Sequence, residues 1–255
     1  MVKYMSVNIL RQAAPVRRQR CPEGAASYFV SRRTVPLAAS RKDTLLLFDL
    51  DGTLWDSAPA VAEAWNEVFQ QEDPALPLLT VDDIHGVMGM TMKEIGDTLY
   101  PDYRSPRRAA IFERCCTYEV EYLYTHCGTL YPGFRTTLET LIARGYDLAV
   151  VSNCQRGYID AFLSSSKAAD LFIDYEEWER TGLTKGENIR LVMDRNGYAK
   201  GVYIGDTKKD WEAALQAGIP FIHAAYGFGE VPEADAVIRS LSELPDAVEK
   251  LTSIL

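Results

Sequence analysis

The 255-residue chain is poor in cysteine, in histidine and in long apolar runs, and each shortage removes a class of protein. Its five cysteines (Cys21, Cys115, Cys116, Cys127 and Cys154) form no C-x-x-C pair and are odd in number. A disulfide framework is therefore not expected, and a reducing, cytoplasmic setting with free thiols is. His85, His126 and His223 show no ligand spacing with one another, which leaves little for a zinc site to use. No apolar run approaches the ~20 residues that cross a bilayer, so no membrane partner is expected. Residues 44–255 contain no internal repeat and no low-complexity segment.

Positive charge is scarce across most of the chain. Residues 44–255 hold eighteen Lys or Arg against thirty-four acids, a balance of −16. That acidic body speaks against nucleic acid, whose phosphate backbone needs a basic surface, but it leaves room for a small phosphate held by local cations. Residues 1–43 are the opposite, with nine Lys or Arg against two acids and no sustained periodicity. Their composition resembles an organellar transit peptide. A disordered tail or translation from an upstream start codon is the favoured reading, and the segment is set aside from the fold.

What remains is long enough for a core domain with a smaller second domain. The stretch Leu45-Leu46-Leu47-Phe48-Asp49-Leu50-Asp51-Gly52-Thr53 organises it. An apolar run of strand length stops at two carboxylates one residue apart, which leave the strand end on one side. Gly52 and Thr53 turn the chain and are expected to free backbone N–H groups there. Two acids this close call for a cation or a shared proton, and hard oxygen ligands suit Mg²⁺ better than zinc. Read alone, the same residues also make an ordinary turn.

Ser57-Ala58-Pro59 then opens a helix, with Ser57 as cap. Residues 56–131 alternate helical patterns with breaks at Pro74, Pro77, Gly86, Gly89, Pro101 and Pro106, and read as a compact helical insert. Its longest helical run, 105–125, places Ile111, Cys115, Tyr118 and Tyr122 on one side, while Trp55 and Trp65 are assigned to packing within the insert. From 132 onward short apolar strands (147–151, 171–174, 201–204, 220–223, 236–238) alternate with helices (134–144, 158–163, 185–195, 211–217, 244–251). This predicts an α/β fold, a doubly wound parallel sheet that binds ligands at the carboxyl ends of its strands. Polar punctuation falls at those ends: Asp49 and Asp51, Ser152-Asn153, and Asp206 with Asp210, with Lys185 opening a helix between the last two. Singly, these residues also read as a helix cap, a solvated lysine and a strand-to-helix turn; their joint order does not.

That order resembles the four motifs of the haloacid dehalogenase-like superfamily: Asp49-Leu50-Asp51-Gly52-Thr53, then Ser152 after Val150-Val151, then Lys185, then Gly205-Asp206-Thr207-Lys208-Lys209-Asp210. The helical insert resembles the cap of the subclass containing phosphoglycolate phosphatases and β-phosphoglucomutases. The resemblance implies a Rossmann-like core (44–55 and 132–255) with a helical cap domain (56–131). It implies a Mg²⁺-dependent phosphatase acting on a small phosphorylated metabolite, as a monomer or weak dimer. Asp49 would be the nucleophile, Asp51 the general acid and base, and Lys185 an electrostatic partner. Gly52, Thr53, Ser152, Asn153 and Lys185 would bind the phosphoryl group. The metal would be held by Asp49, Asp206 and Asp51 through its backbone carbonyl, with Asp210 fixing a metal-bound water or Lys185. A phosphosugar mutase and a non-catalytic member of the fold are the alternatives. One departure stands out: Ser152-Asn153-Cys154-Gln155-Arg156 lacks the Lys that phosphoglycolate phosphatases carry shortly after the motif hydroxyl, which speaks against phosphoglycolate as substrate.

Overall fold

In the computed structural model, which describes residues 41–100 and 105–254, the run Thr44–Phe48 is strand β1, in the interior of a six-stranded sheet. All five residues are buried and alternate between faces: Leu46 and Phe48 join one core, Leu45 and Leu47 the other. Strands covered on both sides read as unbroken apolar runs, which is why this one was visible without any alternation.

Strand β2 (Trp55–Asp56) follows, then α1 (Ala58–Glu72), α2 (Val81–His85), α3 (Met92–Leu99) and α4 (Pro106–Leu123). Strand β3 (Thr129–Leu130) pairs antiparallel with β2, tying the two ends of the helical insert together at its root. The remainder runs α5 (Phe134–Ala143), β4 (Asp147–Ser152), α6 (Tyr158–Ser165), β5 (Asp174–Glu177), α7 (Trp178–Thr181) and α8 (Lys185–Arg195). It ends with β6 (Lys200–Gly205), α9 (Lys208–Ala217), β7 (Phe221–Ala224), β8 (Ala236–Ile238) and α10 (Leu244–Thr252). The sheet order is β5-β4-β1-β6-β7-β8, parallel at every pairing. Helices α5, α6 and α10 cover one face together with the insert, and α8 and α9 cover the other. Strand order reverses at β1, between β4 and β6, and that is where a crevice opens at the carboxyl ends.

Several details depart from the sequence expectation. The strand expected at 171–174 lies at Asp174–Glu177, on the sheet edge, and Phe172 instead packs its ring against Phe48 and Phe162. Edge strands tolerate charge, and this one carries Asp174 and Glu176 paired with Arg195, so apolar patterning could not mark it. The buried face of α4 is Ile111, Cys115, Glu119 and Leu123, with a carboxyl group in the middle of it. Tyr118 and Tyr122 lie to the side and donate to Glu67 and Glu63 of α1. Trp65 packs inside the insert against Phe69 and Phe112, but Trp55 packs against Tyr158 and Phe162 of α6, on the sheet side. Arg41–Asp43, set aside with the basic segment, belong to the described fold: Lys42 N–H donates to Gly145 and Arg41 pairs with Asp147. The rest of that segment lies outside the described residues. Cys115, Cys116, Cys127 and Cys154 are free thiols, and among the described residues no helix is long and apolar enough to cross a membrane.

Candidate active site

Two helix starts deliver charged side chains to the crevice. Thr184 caps α8 through a reciprocal bond with Glu187, which fixes Lys185 in the first turn. Thr207 caps α9 in the same way with Asp210, so the acid that completes the cap also faces the site. Lys185 Nζ lies 2.8 Å from Asp49 Oδ1 and 2.6 Å from Asp210 Oδ1, with all three side chains buried. Asp206, at the end of β6, accepts from Phe228 N–H at 2.7 Å and from Thr53 Oγ1 at 3.3 Å.

Carboxylate oxygens of Asp49, Asp206 and Asp210 lie within 4.8 Å of one another. Three buried acids face one ammonium, and the imbalance shows in the proton affinities of Asp49 and Asp206. Burial, then the nearby Asp210 carboxylate, pushes Asp49 up to about 7 against the pull of Lys185. Burial with Asp210 and Asp49 raises Asp206 well above the ordinary carboxylate range. Burial alone would lower Lys185, yet Asp210 and Asp49 hold it well above its usual value. A cluster of hard oxygens with uncompensated negative charge fits a divalent cation of the Mg²⁺ kind.

Asp51 stands apart from that cluster. Its Oδ1 accepts from Ser57 Oγ at 2.5 Å and from Tyr158 OH at 3.0 Å, and it lines a cavity between the sheet and the insert. Burial pushes it up to about 6, offset by the Ser57 and Tyr158 hydrogen bonds. The Asp51 carboxylate is thus not one of the oxygens gathered by Asp49, Asp206 and Asp210. Ser57 precedes α1 as expected, but its hydroxyl makes no cap bond and donates to Asp51 instead.

Two observations bear on the expected phosphoryl ligands. The N–H groups of Gly52 and Thr53 are not free: Gly52 donates to Trp55 O at 2.9 Å and Thr53 to Leu50 O at 3.3 Å, both inside the turn. Gly52 is needed for another reason, since it has φ +79° and a Cβ there would sit 2.1 Å from Asp206 Oδ2. Asn153 donates from its side-chain amide to Gly89 O of the insert, 3.2 Å away. Ser152 is buried and lines the cavity beside Asp51. Cys154 also lines it, with burial and the charges of Glu177 and Asp51 raising its thiol well above the reactive range.

Some site residues had no sequence signal. Tyr158 reaches Asp51 from 107 positions away. Gly227 approaches so closely that a Cβ would lie 2.4 Å from both Asp206 Cβ and Gly52 O. Glu119 and Trp65 meet at the cavity wall, Trp65 Nε1 donating to Glu119 Oε2 at 2.6 Å.

A parallel α/β sheet that gathers buried acids and a lysine at its central strand ends places the chain in a class, the α/β enzymes with an acidic centre able to hold a divalent cation. A profile described as "Haloacid dehalogenase-like hydrolase" matches residues 46–224. The chain is 31% identical over 226 residues to the "Phosphoglycolate phosphatase, plasmid" of Cupriavidus necator, covering 79% of this chain and 91% of that one. It is 30% identical over 223 residues to a phosphoglycolate phosphatase of Rhodobacter capsulatus, covering 81% and 97%. A crystal structure of a predicted phosphoglycolate phosphatase from Haemophilus somnus superposes with a TM-score of 0.70 at 22% identity, over 81% of this chain and 99% of that one. CbbY from Rhodobacter sphaeroides in complex with phosphate does so at 0.64 and 19%, over 78% and 95%. The chain belongs to the haloacid dehalogenase-like hydrolases, in the group resembling phosphoglycolate phosphatases, and it is a phosphoric monoester hydrolase.

Proposed function

We propose that this hydrolase cleaves a small phosphomonoester metabolite with Mg²⁺ as cofactor and Asp49 as nucleophile. The observation that carries the reading is the buried group of Asp49, Asp206, Asp210 and Lys185, with Asp51 close by and facing a separate cavity. Asp49, Asp206 and the backbone carbonyl of Asp51 would hold the cation, which when bound masks negative charge on nucleophile and phosphate. Asp49 attacks phosphorus as the ester P–O bond breaks, giving an aspartyl-phosphate. The leaving alkoxide takes a proton from Asp51. Asp51, now a carboxylate, then takes a proton from water as that water attacks phosphorus, which frees inorganic phosphate and restores Asp49.

Lys185 and Ser152 would hold phosphoryl oxygens where charge is spread in the transition state, and Asp210 keeps Lys185 in place. The helices between β2 and β3 would act as a cap that keeps bulk water from the phosphoenzyme. Their contacts with the sheet side support this: Asn153 with Gly89 O, Lys209 with Glu94, and the His85 ring against that of Phe228.

Phosphate release from a panel of phosphomonoesters, with Mg²⁺ and after chelation, tests the reading in wild type and Asp49→Asn. Turnover should need the metal and should vanish in the variant, because an amide cannot form the acyl-phosphate. Near-wild-type turnover by Asp49→Asn would rule that residue out as nucleophile.

A further inference from the structure

The loop 153–157 carries the chain from β4 to α6 and is held from two sides. On the insert side Asn153 donates to Gly89 O and Gln155 to Cys116 O. On the other side two acids take its backbone: Glu177 Oε1 accepts from Gly157 N–H at 3.1 Å, and Glu179 Oε2 from Arg156 N–H at 2.8 Å. Glu177 ends β5, in register with Ser152 at the end of β4, which brings its side chain to this loop.

Tyr158, the first residue of α6, places its hydroxyl 3.0 Å from Asp51 Oδ1 and 2.7 Å from Ser57 Oγ. The N-cap position is Gly157, so the helix has no side chain of its own to close its start. Gly157 also has φ +88°, and a residue without Cβ resists rotation least. The direction in which α6 leaves the loop, and with it the reach of Tyr158, therefore depends on an acceptor from outside the helix. Glu177 supplies one immediately before the tyrosine. An acid suits that place, because the N–H groups of a helix start favour negative charge.

Helix capping alone does not account for Glu177. Exposed Glu179 already offers a carboxylate to the same helix start, where water solvates its charge. Glu177 is 1% exposed, and its Oε2 is buried with no hydrogen-bond partner among the described residues. A carboxyl group buried with one oxygen unmatched works against stability. What the fold gains from it is a fixed point beside Tyr158.

With Asp51 as the proton donor of the phosphatase reading above, we propose that Glu177 is a positioning residue for that proton transfer. By holding Gly157 it keeps the Tyr158 hydroxyl on Asp51, and so fixes the carboxyl group from which the leaving alkoxide takes its proton.

Leaving-group dependence tests this on the full chain with Mg²⁺. kcat/KM counts the steps up to release of the alcohol, and p-nitrophenolate departs without a proton whereas an alkoxide needs one. The comparison sets p-nitrophenyl phosphate against whichever of methyl, propyl and glycerol phosphate wild type turns over fastest, on the acidic plateau of activity. Glu177→Leu should lower kcat/KM for the alkyl ester at least about fivefold more than for the aryl ester, one hydrogen bond's worth. Tyr158→Phe should show the same split. The double variant should show no more than Tyr158→Phe alone, because the two substitutions break one chain of contacts. Glu177→Gln retains the acceptor and should restore the wild-type ratio of the two esters. If Glu177→Leu does not fold, Glu177→Asp, whose arm is one methylene shorter, makes the same comparison. Equal losses on both esters, losses that multiply in the double variant, or Glu177→Gln as impaired as Glu177→Leu would overturn the proposal, as would a wild type active on the aryl ester alone. Any of these removes only the role of Glu177, whereas no wild-type turnover of any of these monoesters removes the phosphatase reading and this role with it.

Discussion

Lys185 Nζ sits 2.6 Å from Asp210 Oδ1, each side chain almost wholly buried, and the same Asp210 closes the cap of α9 through Thr207. One carboxylate thus links the start of a helix to the ammonium beside Asp49. Asp210→Asn would keep the cap geometry while removing the charge that holds Lys185. Stability should change little, because the lost ion pair is offset by weaker repulsion among three acids. Turnover should fall at least about tenfold as Lys185 loses its register with Asp49. Melting temperature and kcat measured on the same preparations check this, and an unchanged kcat would remove the positioning role.

The Ser57 and Tyr158 hydroxyls stabilise Asp51 as a carboxylate, holding its pKa below where burial alone would put it, at about 6. Tyr158→Phe removes one of those donors, so the Asp51 pKa rises. If Asp51 must be protonated for the leaving group to depart, activity falls as pH climbs through this pKa. The basic limb of kcat/KM against pH should therefore move to higher pH in Tyr158→Phe. A limb that stays in place or moves down would mean that another group sets it.

How much of this was legible in the residues follows from where each signal lies. Asp49, Asp206, Asp210 and Lys185 each sit within a few residues of a strand end or helix start, so local chemistry and order sufficed to select them. Asp51 could be found, but not where its side chain points, because that depends on Tyr158, which arrives through the packing of α6. Gly52 reads in the sequence as a turn residue, whereas its close approach to Asp206 joins two strands that only the sheet brings together. The sequence pattern points to 171–174 rather than to β5 because a charged edge strand and an apolar loop exchange their usual signatures. Glu119 was invisible, since an acid in a helix is ordinarily solvated and nothing local marks this one as buried.

Gly227 supplies a test of the close approach around Asp206. A methyl group there would meet Asp206 Cβ and Gly52 O, both at 2.4 Å, and neither neighbour is free to retreat. Gly227→Ala should cost about 1–3 kcal/mol, the usual price of overpacking, and should weaken activity more than stability because it displaces a proposed metal ligand. Urea midpoints and the Mg²⁺ concentration for half-maximal turnover read the two effects separately. A variant with wild-type values in both would show that the loop after β7 moves freely away from Asp206.

Glu119 makes the stability of the protein depend on pH in a direction opposite to that of most carboxylates. Burial pushes it from 4.5 up to about 8, against the hydrogen bond from Trp65, with a smaller push from Asp51. The folded chain therefore holds this proton more tightly than the unfolded chain does. Its contribution is complete below about 4.5 and is lost progressively as pH rises to about 8. Glu119→Gln has no proton to lose and keeps an acceptor for Trp65 Nε1. The stability difference between variant and wild type should consequently grow in the variant's favour from pH 5 to pH 8, by on the order of a few kcal/mol. Urea unfolding of both proteins at each pH gives that difference directly and cancels the groups they share. A difference that is flat across this range, or that grows in favour of wild type, would mean that Glu119 ionises in the fold as readily as in the unfolded chain, or more readily.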